Sequence, residues 1–243
     1  IGLFVLFFTE MWERFSYYGM RAILVLFLTS SLMNEGWAWS REDALVLYGW
    51  YTGLVYLTPI LGGYLADKYL GYRNAIILGA FIMTLGHASM ALEMFTDSFF
   101  YIGLSLMVVG NGFFKPNISS IVGQLYKDGD KRKDGGYTIF YMGINSGAFL
   151  GILLCGYIGE KVGWHLGFGL AGVFMFLGML QFMFAQKIFG NIGLSPKNLA
   201  AATNNSEVAK TSKKFTTKEK DRLFVIVIFS LFTIFFWWAF EQA

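Results

Sequence analysis

Apolar residues run along this chain in blocks too long for the elements of an ordinary globular core. Counted as stretches of roughly 20 mostly apolar residues, the length a helix needs to cross a hydrocarbon layer, they fall at about 2–33, 44–68, 74–93, 99–126, 136–159, 164–188 and 222–241. No period-two alternation persists in any block, and each is far longer than the roughly ten residues of a membrane strand. The pattern predicts seven transmembrane helices and no sheet. Glycine and aromatic residues recur inside the blocks, and glycine lets helices in lipid approach closely. Between the sixth and seventh blocks lies a polar stretch, 189–221, rich in Lys, Thr, Asn and Ala. It reads as a mobile connector, with a short helix at "TTKEKDR" that Thr216 is suited to cap. The expected organisation is an all-α integral membrane protein: a six-helix bundle over 1–188, a connector over 189–221, and a seventh helix over 222–243 that opens a second bundle. The chain starts at Ile1 and stops at Ala243 within an apolar block, and it reads as a piece of a longer protein.

Composition sharpens the class. Of 243 residues, 56% are hydrophobic and 14% charged, against about 25% charged in soluble domains, and the mean hydropathy is +0.52. A net charge of +3 gives no reason to expect a nucleic-acid partner, and the single cysteine, Cys155, cannot form an internal disulfide. The basic residues are distributed unevenly. Fourteen of the 19 Lys and Arg fall in the connections after blocks two, four and six; the alternate connections hold Arg41 and Lys161. The positive-inside rule puts the 14-residue side, and with it the N-terminus, in the cytoplasm. The setting expected is a multi-pass cell membrane, the inner one in a bacterium.

The first block poses a problem of its own. "TEMWERFSYYGMR" sets two glutamates and two arginines within an apolar run. On a helix, Glu10, Glu13, Arg14, Tyr17, Tyr18 and Arg21 occupy one arc of about 140°. Met11, Trp12, Phe15, Met20 and Ile23 make the other face, apolar and suited to lipid or to neighbouring helices. A charge at the bilayer centre costs about 2.5 kcal/mol or more, so the stripe must face protein or a water-filled cavity. Opposite signs on adjacent turns offset part of that cost. A buried ion cluster stabilises poorly compared with apolar packing, which favours a functional stripe over a packing one.

Other polar residues inside blocks fit the same cavity. Lys115, in "GNGFFKPNISS", lies about ten residues from the end of its block, too deep to snorkel easily, and Pro116 next to it is expected to bend the helix. Asn145 either faces the cavity or hydrogen-bonds a neighbouring helix. Tyr56 either lines the cavity or packs. Glu241, one turn after Trp237, faces the interior or the headgroups. His87 is expected to pack or hydrogen-bond rather than relay protons, and His165 to lie at an interface. No His/Cys spacing suggests a metal site. No G-x-x-x-x-G-K-[ST] supports ATP-driven transport, and no nucleophile–base set suggests an enzyme.

At these residues the chain resembles the proton-dependent oligopeptide transporters of the major facilitator superfamily. "EMWERFSYYGM" is similar to their E-x-x-E-R-F-x-Y-Y-G motif, and "GGYLADKYLGYRNAI" to their loop between segments two and three. "GNGFFKPNISSIVGQLY" and "YTIFYMGINSGAF" are similar to their fourth and fifth segments, and "FWWAFEQ" to the start of their second bundle. The resemblance implies twelve helices in two six-helix bundles, alternating access around a central site, di- and tripeptides as substrates, protons as coupling ion, and no other cofactor. It implies a monomer completed by its C-terminal bundle. It further implies that Glu10, Glu13, Arg14 and Glu241 serve proton coupling. Arg14, Tyr17, Tyr18, Arg21, Tyr56, Lys115, Asn145 and Trp237 would contact the peptide, and Arg21 with Glu241 would form an outer gate. A connector of about 33 residues leaves no room for the two extra helices of many bacterial relatives. The second block lacks the histidine of animal members, so coupling is expected to rest on carboxylates.

A dipeptide is a zwitterion, and a cavity for it needs a cationic end. Arg14 and Lys115 supply one, the guanidinium able to hold a carboxylate by two hydrogen bonds. Protonation of Glu10 or Glu13 is expected to release Arg14 for the peptide carboxylate. Two other readings stand beside this one: a related proton-coupled carrier of nitrate or another small anion, and a membrane sensor that does not transport.

Overall fold

The structure, a computed structural model, describes residues 1–127, 129–203 and 216–240, with the backbone alone for 237, 238 and 240. It forms two units, Ile1–Asn204 and Asn205–Ala243.

The first unit is the six-helix bundle. Its long helices are α1 (Gly2–Thr29), α2 (Arg41–Leu65), α3 (Tyr72–Ala91), α4 (Asp97–Gln124), α5 (Arg132–Lys161) and α6 (Trp164–Ala185). A short α7 (Pro196–Thr203) follows. Helices α2 to α6 are each long and apolar enough to cross a membrane. Helix α1 is just as long, carries the four charges, and buries residues on every side, among them Leu6, Glu13, Phe15, Met20 and Leu24. Within lipid, burial of this kind is what makes the charged stripe tolerable.

Small residues set how closely the helices meet. Along α5, Gly143, Gly147 and Gly151 recur at four-residue spacing. A Cβ on Gly143 would stand 2.8 Å from the carbonyl oxygen of Phe7, and Gly147 and Gly151 are pressed in the same way against the carbonyls of Met11 and Phe15. One turn on, the roles reverse: Gly19 of α1 faces Cys155, where a Cβ would stand 2.6 Å from Sγ. Helices α3 and α4 meet through Gly79 and Gly110, and through Gly86 and Gly103. Gly62 of α2 comes closest to the carbonyl of Gly112. That carbonyl has no helical donor, because the residue four on is Pro116. Helix α4 nonetheless runs through the proline as one element, its Cβ-free stretch leaving room for α2.

Polar and aromatic contacts fix the rest. Gln181 of α6 donates to the Val5 carbonyl at 3.1 Å and accepts from Trp12 Nε1 at 3.2 Å, joining α6 to α1. Phe15 and Trp12 pack on Phe174 of α6. At the end where α1 stops, Phe27 gathers Trp37, Phe100, Trp164 and Phe168 around it.

Several boundaries differ from those read in the sequence. Helix α1 ends at Thr29 rather than near 33, because Ser30 turns to an extended conformation and Leu32–Asn34 form a separate single turn. The α2 helix widens into a π turn over Ala66–Leu70 and breaks at Gly71, whose φ of 76° favours glycine. The start of the connector is not loose. Arg73 donates from Nε to the Ile192 carbonyl and from a terminal nitrogen to the Gly190 carbonyl, both at 2.6 Å. Its own N–H donates to the Gly193 carbonyl at 3.1 Å. This turn leads into α7, whose N-terminal residue is Pro196 and whose Asn198 N–H is capped by Ser195 Oγ at 3.3 Å. Residues 204–215 lie outside the described residues.

The second unit holds α8 (Thr217–Phe240), which begins five residues before the apolar block at 222. The cap read at Thr216 is present as a reciprocal pair. Thr216 Oγ1 accepts from the Glu219 N–H at 3.3 Å, while the Glu219 carboxylate accepts from the Thr216 N–H at 2.7 Å.

Candidate functional site

The centre of the bundle is the charged stripe of α1. Arg14 Nε lies 3.1 Å from Glu10 Oε1 and also pairs with Glu13 Oε2, and a terminal nitrogen of Arg14 donates to Glu13 Oε1 at 2.8 Å. Glu10, Glu13 and Arg14 are all buried, Glu13 completely. One guanidinium thus holds two carboxylates, and the trio carries one net negative charge when both acids are ionised. Helical periodicity puts all three on one face. Helix α5 presses on this part of α1 through Gly147, where a Cβ would meet the Met11 carbonyl and stand 3.0 Å from Arg14 Cβ.

Residues above the trio carry the stripe outward. The Arg14 guanidinium lies 5.3 Å from the ring centre of Tyr17 and 5.9 Å from that of Tyr18, within cation–π range. Tyr17 is buried and stacks on Tyr51 of α2, while Tyr18 is half-buried. Arg21, one turn further on, donates to the Tyr48 hydroxyl and lies 5.1 Å over its ring. The partner proposed for Arg21 in the sequence, Glu241, lies outside the described residues, as does the side chain of Trp237. Lys115 of α4 is half-buried, with Nζ 4.6 Å from the ring centre of Tyr56, itself 55% exposed on α2. Asn145 is exposed on α5, two residues before Gly147. Among the described residues no hydrogen bond joins it to the trio.

The structure therefore brings together Glu10, Glu13, Arg14, Tyr17 and Tyr18, pairs Lys115 with Tyr56, and leaves Asn145 exposed on α5. It also brings in three residues that the sequence reading did not single out. Asn111 of α4, fully buried, donates from Nδ2 to Glu13 Oε1 at 3.3 Å. Its signal was available: Asn111 stands four residues before Lys115, on the same face of α4. Tyr48 lies at twice the four-residue spacing before Tyr56, and Tyr51 is the ring beneath Tyr17. His87 is buried with neither ring nitrogen bonded among the described residues, and its Cβ packs on Gly172 of α6. It packs rather than hydrogen-bonds.

Chemically, the trio is a buried ion cluster that can gain or lose a proton at either carboxylate, with a guanidinium whose two-pronged geometry suits a third carboxylate. Lys115 adds a second cation with an aromatic wall beside it.

The chain is similar to known proteins in sequence and in structure. Residues 73–220 match the PTR2 model, described as the POT family. The chain is 46% identical over 198 residues to the uncharacterized transporter YclF of Bacillus subtilis (strain 168), a match covering 82% of this chain and 40% of that protein. It is 42% identical over 200 residues to a di-/tripeptide transporter of Lactococcus lactis subsp. cremoris, covering 81% of this chain and 40% of that one. A crystal structure of peptide transporter POT in complex with sulfate superposes with a TM-score of 0.77 at 41% identity, over 96% of this chain and 44% of the other. The chain thus spans less than half the length of the relatives it matches.

Proposed function

This chain belongs to the POT family, and we propose that it serves proton-coupled symport of di- and tripeptides across the cell membrane by alternating access. The observation that carries the proposal is the buried cluster in which Arg14 is held by Glu10 and Glu13. A cation already paired to carboxylates is unavailable to a peptide carboxylate. Protonating one of the two acids removes its negative charge and frees part of the guanidinium fork. The peptide carboxylate then replaces the neutralised acid, and loss of the proton to the other side restores the original pair and weakens the hold on peptide. Lys115, with Tyr56 beside it, adds positive potential to the same end of the peptide. Tyr17, Tyr18, Asn145 and Trp237 supply further contacts, and Arg21 with Glu241 forms the gate.

In this reading residues 1–188 form the N-terminal bundle, 189–221 the cytoplasmic connector and 222–243 the opening helix of the C-terminal bundle. The N-terminus is cytoplasmic, in the inner membrane if the source is a bacterium, as the excess of basic residues on that side supports. The working unit is a monomer in the bilayer containing both bundles. The proton is the coupling ion, no other cofactor takes part, and no covalent chemistry is catalysed.

The test uses the whole protein in liposomes, with labelled dipeptide uptake followed with and without an inward proton gradient. Accumulation only with the gradient, abolished by Glu13→Gln while peptide exchange persists, is the expected result. Peptide binding without flux would replace this reading with a sensor. Indifference to peptides would replace it with an anion carrier.

A further inference from the structure

We infer that Asn111 is a positioning residue for Glu13: its amide gives the carboxylate a donor when ionised and an acceptor when protonated, so that the group stays partnered in both states. The inference rests on the symport reading above and deepens it at one atom pair.

Three observations carry it. Asn111 is 0% exposed, in the middle of a membrane-spanning helix. Its Nδ2 donates to Glu13 Oε1 at 3.3 Å, bridging α4 to α1. Its Oδ1 is buried with no hydrogen-bond partner. An orphaned buried acceptor is costly, whereas an apolar residue of the same shape at that position would cost little. An amide there for packing alone is a poor solution. The orphaned oxygen gains a use once Glu13 takes up a proton. The proton adds to a carboxylate oxygen, no other bond is made or broken, and the new O–H needs an acceptor. A half-turn of the Asn111 amide about its last side-chain bond exchanges donor for acceptor in nearly the same volume.

No charged group around Glu13 both donates and accepts: Arg14 and Lys115 donate, and an ionised Glu10 only accepts. From its own helix come Glu10 and Arg14, and from α4 comes Lys115, a donor only. From α2 comes Tyr51, whose hydroxyl has no hydrogen-bond partner. Helix α5 brings Tyr141, which is exposed, and Cys155, which packs on Gly19. Helix α6 has no titratable residue between His165 and its end at Ala185. On α3, beyond α4, His87 packs on Gly172 of α6. Asn111 is the amide that can answer either protonation state.

The test is the pH profile of gradient-driven dipeptide uptake by the whole protein in liposomes, for wild type, Asn111→Leu and Asn111→Thr. A hydrogen bond to an ionised carboxylate is stronger than one from a neutral carboxyl. Removing both should therefore move the midpoint of the profile to higher pH, by about 0.5–1 unit. Asn111→Thr, whose hydroxyl donates and accepts, should return the midpoint towards wild type, a rescue that a purely structural role does not predict. In a Glu13→Gln background, Asn111→Leu should add no shift to the pH profile of peptide exchange. If Asn111→Leu does not reach the membrane, Asn111→Ala reads the same profile without added bulk. A Leu or Ala profile that overlies wild type, while Glu13→Gln abolishes accumulation, overturns this inference and leaves the symport reading standing. Wild-type uptake that ignores the gradient overturns both.

Discussion

Arg14 Nε lies 3.1 Å from Glu10 Oε1, one helical turn back, while the same guanidinium pairs with Glu13, its immediate neighbour in sequence. Neutralising the arginine would leave two carboxylates buried without the cation that pairs them. Breaking such a pair costs about 3–5 kcal/mol. Arg14→Ala should lower the denaturant midpoint of the purified whole protein by a corresponding amount, and adding Glu10→Gln and Glu13→Gln together should recover most of it. Arg14→Ala with undiminished stability would mean that Lys115 neutralises the cluster instead.

The contact between α1 and α5 predicts a steric effect beside the cluster, since a Cβ on Gly147 would also stand 3.0 Å from Arg14 Cβ. A Cβ on Gly147 meets the Met11 carbonyl. Gly147→Val should destabilise by about 1–3 kcal/mol through overpacking, read as a lowered melting temperature. Gly156, with open space around it, is the matched control: Gly156→Ala should leave the melting temperature within a degree or so of wild type.

Arg73 closes the turn after α6 with two side-chain hydrogen bonds at 2.6 Å. Hydrogen bonds from a charged group contribute about 1.5–3 kcal/mol. Arg73→Ala should raise the rate of limited proteolysis within residues 190–203 by about tenfold or more. Cleavage there at the wild-type rate would show that α7 holds the turn without Arg73.

Glu93 lies outside the spans, in the turn between α3 and α4. Burial pushes its carboxyl up to about 7, and the negative charges of Glu35 and Asp97 push in the same direction. The folded protein therefore holds this proton more tightly than the unfolded chain does. The stabilisation is fully present below the ordinary carboxylate range, near 4.5, and is lost as pH rises towards 7. Glu93→Gln should remove that decline: its melting temperature should exceed wild type at pH 8 and approach it at pH 4.5. Parallel curves across this range would refute the assignment.

How much of this was legible beforehand follows from what each feature depends on. Apolar block length gave the helices of the bundle, and the 3.6-residue period gave the stripe of Glu10, Glu13 and Arg14, because both are properties of one helix. The partners of that stripe depend on how helices are rotated against one another, which no single segment encodes. Hence Lys115 was visible as a deep charge, while Asn111 one turn earlier shared its face but carried no charge to show that α1 needed it. Arg21 was recognised while its partner Tyr48 was missed for the same reason. The folded turn at 190–195 was read as loose because its polar composition carries no apolar period; the donors that hold it come from Arg73, more than a hundred residues upstream.

The glycine contacts have a mechanical meaning. Where two helices touch backbone to backbone, no layer of side chains lies between them whose rotamers could rearrange, so the pair resists sliding. Helices α1 and α5 are joined in this way, as are α3 and α4. Shear within the bundle is thereby confined to the boundaries filled by side chains. The contact from Glu13 on α1 to Asn111 on α4 crosses such a boundary, where a small displacement of one stiff pair against the other changes a single hydrogen bond before it changes the packing.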